Sequence, residues 1–466
     1  MDMLSWRILA VVWFVIVGSV VTAQEAGKSQ SSVNTSAEGT TPSATATTKP
    51  ASPYEGSWLT WPKMTGDWGG TRAELAEKGI SLDIGITQIG QDNAHGGAYT
   101  KNGFRYSGSA DLSFTLDTAR MGLWNGGTFI LNAEPKWGDG IGQKVGSLIP
   151  VNMDAIKPTY GEGATMTLSE FYYQHVLLDG KLILLGGKLD AARAFDTNVF
   201  ANNERTQFMN VAFRNNLMLG AFAPYTTFAA GAIVNPTDWL TITTSVCDND
   251  GRAKTTGFET AFHGDPDHFS VAHEWAFKVR PFGLSGSQRV GFAWSPRDFD
   301  HVDPVSPFRE MTPALVKLLG WQMVNKIAPY LPYENSGDNV MVYYNFDQYL
   351  YTEANDPTQG IGVFGRFGWA RQDVNAPSHF YSIGLGGKGV LPERDKDTMG
   401  VGYYFLDLSN DLPCMMHSEQ GIEAYYSIEI APWLHISPDL QMVIDPGGTS
   451  DKDVAIVAGF RVQMDL

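Results

Sequence analysis

Beyond its first two dozen residues the chain has no run of eighteen apolar residues, which leaves no room there for a membrane-spanning helix. That lack does not exclude a membrane, because a spanning strand is apolar only at alternate positions. Basic residues are also short: 33 Lys and Arg stand against 50 Asp and Glu, for a formal net charge of −17. A chain so acidic has no basic patch to neutralise phosphates, which argues against a nucleic-acid partner. Two cysteines, Cys247 and Cys414, are too few for a disulfide framework, and sixteen-strand spacing would set them nearly across a barrel from each other. No nucleophile motif lies beside a plausible base, so no enzyme is expected. His263, Asp265, Asp267 and His268 are close in sequence but read as exposed loop residues, lacking zinc-type spacing. Asp248-Asn249-Asp250-Gly251 lacks the distal Glu of a calcium loop. No metal site is expected.

Glycine is plentiful, at 50, and aromatics reach 12 %, which suits tight turns and the interfacial aromatic bands of membrane barrels. Arg7 precedes an apolar run, Ile8 to Val21, and Val21-Thr22-Ala23 gives a small-residue cleavage site; residues 1–23 read as a signal peptide. Residues 24–57, rich in Ser, Thr, Ala and Pro, cannot bury enough apolar surface to offset ordering and read as a disordered tether. In 58–79, Thr71 with Glu74 fits a capping box and Gly79 a helix terminator, which predicts one short helix.

From residue 80 to 466 the period is two. Val454, Ile456, Ala458, Phe460, Val462, Met464 and Leu466 form an apolar face, and Arg105 to Asp117 alternates as strictly. Such runs exceed the usual soluble strand and suit a tilted membrane strand. About sixteen such segments are counted, from 80–92 and 105–117 through 286–299 and 379–390 to 453–466. Short turns such as Leu178-Asp179-Gly180-Lys181 alternate with long polar loops at 138–164, 191–225, 250–268 and 300–338, the last with a helix expected from Thr312 to Ile327. The fold class is all-β: a transmembrane antiparallel β-barrel of about sixteen strands with a short N-terminal helix, set in a bacterial outer membrane.

The stretch MTGDWGGTRAELAEKGISLDIGITQ, residues 64–88, resembles the opening of the carbohydrate-selective, OprB-like porins. Gly187-Lys188-Leu189-Asp190 and FANNERTQFMNVAF, residues 200–213, extend the resemblance, as does the apolar alternation closing the chain. One departure is the ending Met464-Asp465-Leu466, where such barrels commonly finish on an aromatic residue for the assembly machinery; Phe460 lies on the matching face. The resemblance implies a narrowed pore passing small sugars down their gradient, with no cofactor. It implies outer-membrane lipid, lipopolysaccharide and the barrel-assembly machinery as partners, and leaves a homo-oligomer open. A general or cation-preferring diffusion porin is the alternative, since it suits the acidic balance.

A sugar needs polar groups for its hydroxyls and an aromatic for its C–H face, held weakly enough to release it. On the polar strand faces the candidates are Arg105, Asp111, Glu134, Lys136, Glu170, Lys188, Asp190, Arg366 and Arg461. In the loop 191–225 they are Arg193, Asn202, Glu204, Arg205 and Gln207, with Phe208 as the aromatic. By resemblance this loop folds inward and constricts the pore.

Overall fold

In a computed structural model the protein is described over residues 53–466, apart from 158–163, 191, 253–257, 259–260, 262–264, 305–332 and 413–415. Residues 1–23, read as a signal peptide, most of the segment 24–57 read as a tether, the helix expected at 312–327, His263 and Cys414 lie outside the described residues.

The wall begins with β1 (Ile80–His95), β2 (Arg105–Asp117), β3 (Gly127–Gly138), β4 (Thr165–Leu177) and β5 (Leu182–Leu189). It continues with β6 (Thr227–Thr237), β7 (Leu240–Asp248), β8 (Phe269–Val279) and β9 (Gly286–Ser295). A small separate hairpin, β10 (Phe299–Pro304) and β11 (Tyr333–Ser336), follows; the strand expected to reach 299 thus stops at Ser295 and re-forms outside the barrel. The wall resumes with β12 (Asn339–Thr352), β13 (Gly360–Ala370), β14 (Pro377–Lys388) and β15 (Thr398–Leu408). It ends with β16 (Ser418–Ala431), β17 (Leu434–Ile444) and β18 (Ala455–Asp465). The sixteen wall strands pair antiparallel with their chain neighbours, and β1 pairs with β18 from Gly85↔Asp465 to His95↔Ile456, closing the sheet. Closure leaves no unpaired edge in the hydrocarbon, where each orphaned backbone group would cost several kcal/mol.

The two-residue period sorts the wall. In β18, Ala455, Val457, Arg461 and Gln463 are buried on the inner side, whereas Ala458 and Phe460 are exposed on the outer. Outward tyrosines and tryptophans collect near the strand ends: Tyr106 receives a hydrogen bond from the Trp137 indole, and Trp124 donates to Tyr173. Such amphipathic rings suit the headgroup level. Short turns share one end with both termini, and by barrel convention that end faces the periplasm.

At that end the N-terminal segment clasps the seam. Helix α1 (Thr71–Glu77) starts on Gly70, which is left-handed at φ +96°, so Thr71 is the first helical residue and not the expected cap. Gly79 terminates it at φ +81°, where a Cβ would come within 2.6 Å of the Asp117 carbonyl. Arg72 donates to the carbonyls of Gly66 (3.2 Å), Leu82 (3.3 Å) and Leu466 (3.1 Å), tying β1 to the chain end beside β18. Its guanidinium also lies 4.1 Å from the Trp68 ring centre. Trp58 packs on Trp433 at 4.3 Å, and the Met64 N–H reaches the Asp465 carbonyl at 2.8 Å.

Candidate functional site: a constricted lumen

A sixteen-stranded barrel is wide enough to leave an aqueous channel. Here much of that space is occupied by chain. The β5–β6 loop runs inward, and Phe195, Phe200, Phe208, Phe213, Met218, Leu219 and Phe222 from it form one buried cluster with Met341, Phe364, Phe380, Tyr404 and Tyr425 of β12–β16. The wall makes room with inward-facing glycines. A Cβ on Gly402 would lie 2.5 Å from Phe213, one on Gly400 2.7 Å from Phe208, and one on Gly386 2.5 Å from Phe200.

Inside a barrel the loop backbone must find partners for every N–H and C=O. Wall side chains supply them. Glu423 accepts from the N–H groups of Met209 (2.5 Å) and Asn210 (3.0 Å). Arg366 donates to the carbonyls of Ala201 (2.6 Å), Phe213 (3.1 Å) and Asp196 (3.2 Å), and pairs with the Asp196 carboxylate at 2.8 Å. Arg461 donates to the Glu204 carbonyl at 2.6 Å. The β3–β4 loop folds in beside it: Glu419 accepts from Leu148 and Ile149, Asp154 accepts from Ser109 at 2.6 Å, and Met153 N–H meets the Met209 carbonyl at 2.8 Å.

The face of the β5–β6 loop turned towards β2–β4 is charged, and so is the wall it faces. Arg205 pairs with Asp111 of β2 at 3.2 Å and with Asp465 of β18 at 3.6 Å. Its guanidinium lies where Gly85 has no side chain; a Cβ there would sit 1.7 Å from Nη2. Glu204 pairs with Arg214 at 3.0 Å, Arg193 with Glu170 of β4 at 2.9 Å, and Lys136 with Glu134 of β3 at 3.1 Å. Asp190 lies 3.8 Å from Arg214. Burial alone would raise the Glu204 carboxyl, but Arg214 and hydrogen bonds outweigh it and hold it below the usual carboxylate range, so Glu204 is ionised. Burial dominates at Asp190 and raises its carboxyl despite Arg214 and Arg193. Asp111, Glu134, Glu170, Asp190, Arg193, Glu204 and Arg205 are thus brought together in one charged cluster between the loop and the wall.

The other expected residues lie elsewhere. Arg105 is at the outer end of β2, bonded to the Asn102 and Phe104 carbonyls. Lys188 is fully buried in the wall, opposite Phe171 and Phe228 in register. Arg366 and Arg461 face inward as read, and the loop covers and is anchored by them. Asn202 and Gln207 fold the loop on itself: the Gln207 Oε1 accepts from the N–H of Asn202 at 2.7 Å and of Asn203 at 2.9 Å. Phe208, expected to offer a flat face to a solute, is 2 % exposed and packs against Phe213, Phe364 and Tyr425. The exposed aromatic of this loop is Tyr225, beside Glu134 of the charged cluster, which the sequence reading passed over. Arg214 was also missed; both sit in the loop whose inward course alone gives them a role.

A closed barrel with an apolar belt outside, short turns at one end and an inward loop set against a charged wall defines an outer-membrane porin, a channel and not an enzyme. The chain belongs to the carbohydrate-selective porins of the OprB family, whose model matches residues 101–466. The match begins after β1, so the 64–88 motif lies outside it. The chain is 22% identical to Porin B of Pseudomonas aeruginosa over 432 residues, covering 86% of this chain and 90% of that protein. It is 21% identical to the putative porin QuiX of Acinetobacter baylyi over 441 residues, covering 86% and 93%. In fold it is similar to the high-pH structure of Pseudomonas putida OprB, with a TM-score of 0.74 at 20% identity over 88% of this chain and all of that one.

Proposed function

We propose that this porin mediates passive, carbohydrate-selective diffusion of small sugars into the periplasm. One observation carries the reading: the cations at the passage are each matched by a carboxylate, as in Arg205–Asp111, Arg193–Glu170, Arg214–Glu204 and Lys136–Glu134. With Asp465 and Asp190 beside Arg205 and Arg214, four cations stand against six acids. These groups present many donors and acceptors with little net charge for the size of the set, which suits a neutral solute covered in hydroxyls better than an ion of either sign. Their mutual bonding also keeps any single contact with a solute weak, so binding does not prevent exit. Liposome swelling with the purified protein tests this directly. Hexoses should enter faster than uncharged non-sugar solutes of equal size, and the reversal potential in a salt gradient should stay near zero. Entry ranked by size alone, with a strong cation preference, would favour the general porin and refute the proposal.

A further inference from the structure

The residue that stands out on the passage is Tyr225, just before β6. It is 39 % exposed, whereas the aromatics of the loop core are nearly all sealed. Its hydroxyl donates to the Glu134 carboxylate of β3, and the Lys136 ammonium lies 5.8 Å from its ring centre. Burial of the hydroxyl, and then the neighbouring carboxylate, keep it protonated far into alkali. Glu134 and Lys136 are themselves buried and paired at 3.1 Å, so the ring is held from two sides while part of it stays open to solvent. A tyrosine held only for packing would be covered; one held for the wall's integrity would not need an open face.

We propose that Tyr225, fixed by Glu134 and Lys136, is the aromatic contact for a pyranose ring in the passage and so a specificity-determining residue of this chain. The inference rests on the sugar-diffusion reading above. An aromatic face meets the C–H face of a cyclic sugar by dispersion and by the attraction of its negative face for weakly positive C–H groups. Glu134, bonded to the Tyr225 hydroxyl, then lies at the ring's edge, where hydroxyls project, while Lys136 lies over the ring's other face. An open-chain hexitol carries the same kind of hydroxyls but has no flat face, so it gains little from Tyr225.

The test compares glucose with sorbitol as blockers of ion current and as solutes in liposome swelling. For Tyr225→Ala, glucose block should weaken by about fivefold while sorbitol block stays within error, since a single aromatic contact is worth less than one decade in affinity. Tyr225→Phe keeps the ring but releases Glu134, and should fall between the parent and Tyr225→Ala. Equal changes for both solutes would mean that Tyr225 only sets pore width, and would overturn the proposal, as would no change for either. If the parent itself shows no preference for sugars, the underlying reading fails too, and that result is distinct because it appears before any substitution is made.

Discussion

Arg366 offers the sharpest test of how the passage is held narrow. Its guanidinium and the Asp196 carboxylate are both without solvent exposure at 2.8 Å, and the same guanidinium serves the carbonyls of Ala201, Phe213 and Asp196. Removing one partner of a buried pair costs about 3–5 kcal/mol, since the other is left uncompensated. Asp196 would retain the Asn216 N–H at 2.6 Å and the Asn345 amide at 2.7 Å, which puts Arg366→Ala near the lower end of that range. About 3 kcal/mol corresponds to roughly a hundredfold shift in the docking equilibrium of the loop. The barrel wall, closed by its own backbone bonds, should survive, as read by heat-modifiable gel mobility. Single-channel records should show added substates of higher conductance, and polyethylene glycols excluded by the parent should enter. Gly402→Val perturbs the same docking from the apolar side, because a Cβ there already lies 2.5 Å from Phe213. Folded barrels of both variants with parental conductance and parental size exclusion would refute the idea that the docked loop sets the passage.

Three further outcomes are expected. Arg205→Ala leaves Asp111 and Asp465 without their shared cation, so the reversal potential in a salt gradient should move towards cation preference; an unchanged value would place Arg205 off the ion path. Arg72→Ala unlatches the N-terminal segment from Leu82 and Leu466 at the seam, and the temperature of gel-mobility conversion should fall by several degrees with conductance unaltered; an unchanged conversion temperature would show that the clasp adds nothing. In the turn between β14 and β15, burial would raise Asp397, but hydrogen bonds from Arg394 (2.7 Å), Tyr426 (2.6 Å) and the Glu429 N–H (2.9 Å) outweigh it and hold its carboxyl below the usual range. A depressed folded value contributes stability above the unfolded pKa of about 3.9 that is lost as pH falls through the folded value, so conversion should be flat from neutrality to about pH 4 and drop below it. Asp397→Asn should flatten that acid limb, and an identical limb would assign it to other carboxylates.

The wall was legible because lipid on one side and the lumen on the other force a period of two onto every strand. The segment read as 105–117 is β2, and 453–466 is β18 to within two residues at its start and one at its end. The alternation also fixed which side chains point inward, Arg366 and Arg461 among them. It did not say what they would meet there. Inward means paired charges on the β2–β4 side and a packed apolar loop on the β12–β16 side, and strand parity is blind to that difference. A signal was available in GIGVFGRFG and in Gly400 and Gly402, where glycines recur at inward positions of adjacent strands. A wall stripped of side chains on its inner face implies something packed against it. Phe208 and Tyr225 exchange roles for the same reason: both are aromatics of one loop, and only the side of the loop that each occupies decides which meets solvent.

The acidic balance also takes on a different meaning once the loop is in place. Chain that enters a lumen brings backbone N–H and C=O groups that water no longer serves, and each buried orphan costs about 1–3 kcal/mol. The wall answers by type: carboxylates take the N–H groups and guanidinium groups take the carbonyls. Glu423 holds Met209 and Asn210, Glu419 holds Leu148, Ile149 and Gly447, and Glu274 holds the Asp196 N–H at 2.8 Å. These three carboxylates are buried, at no more than 3 % exposure, so a permeating ion meets little of their charge directly. Net charge counted over the chain is therefore a poor guide to ion preference here. In the charged cluster between loop and wall the balance is closer to even: Arg205, Arg193, Arg214 and Lys136 stand beside Asp111, Asp465, Glu170, Glu204, Asp190 and Glu134. Part of the acidic excess of this porin thus lies in buried carboxylates that hold the inward chain, which is why the balance of the whole chain does not translate into the balance of its lumen.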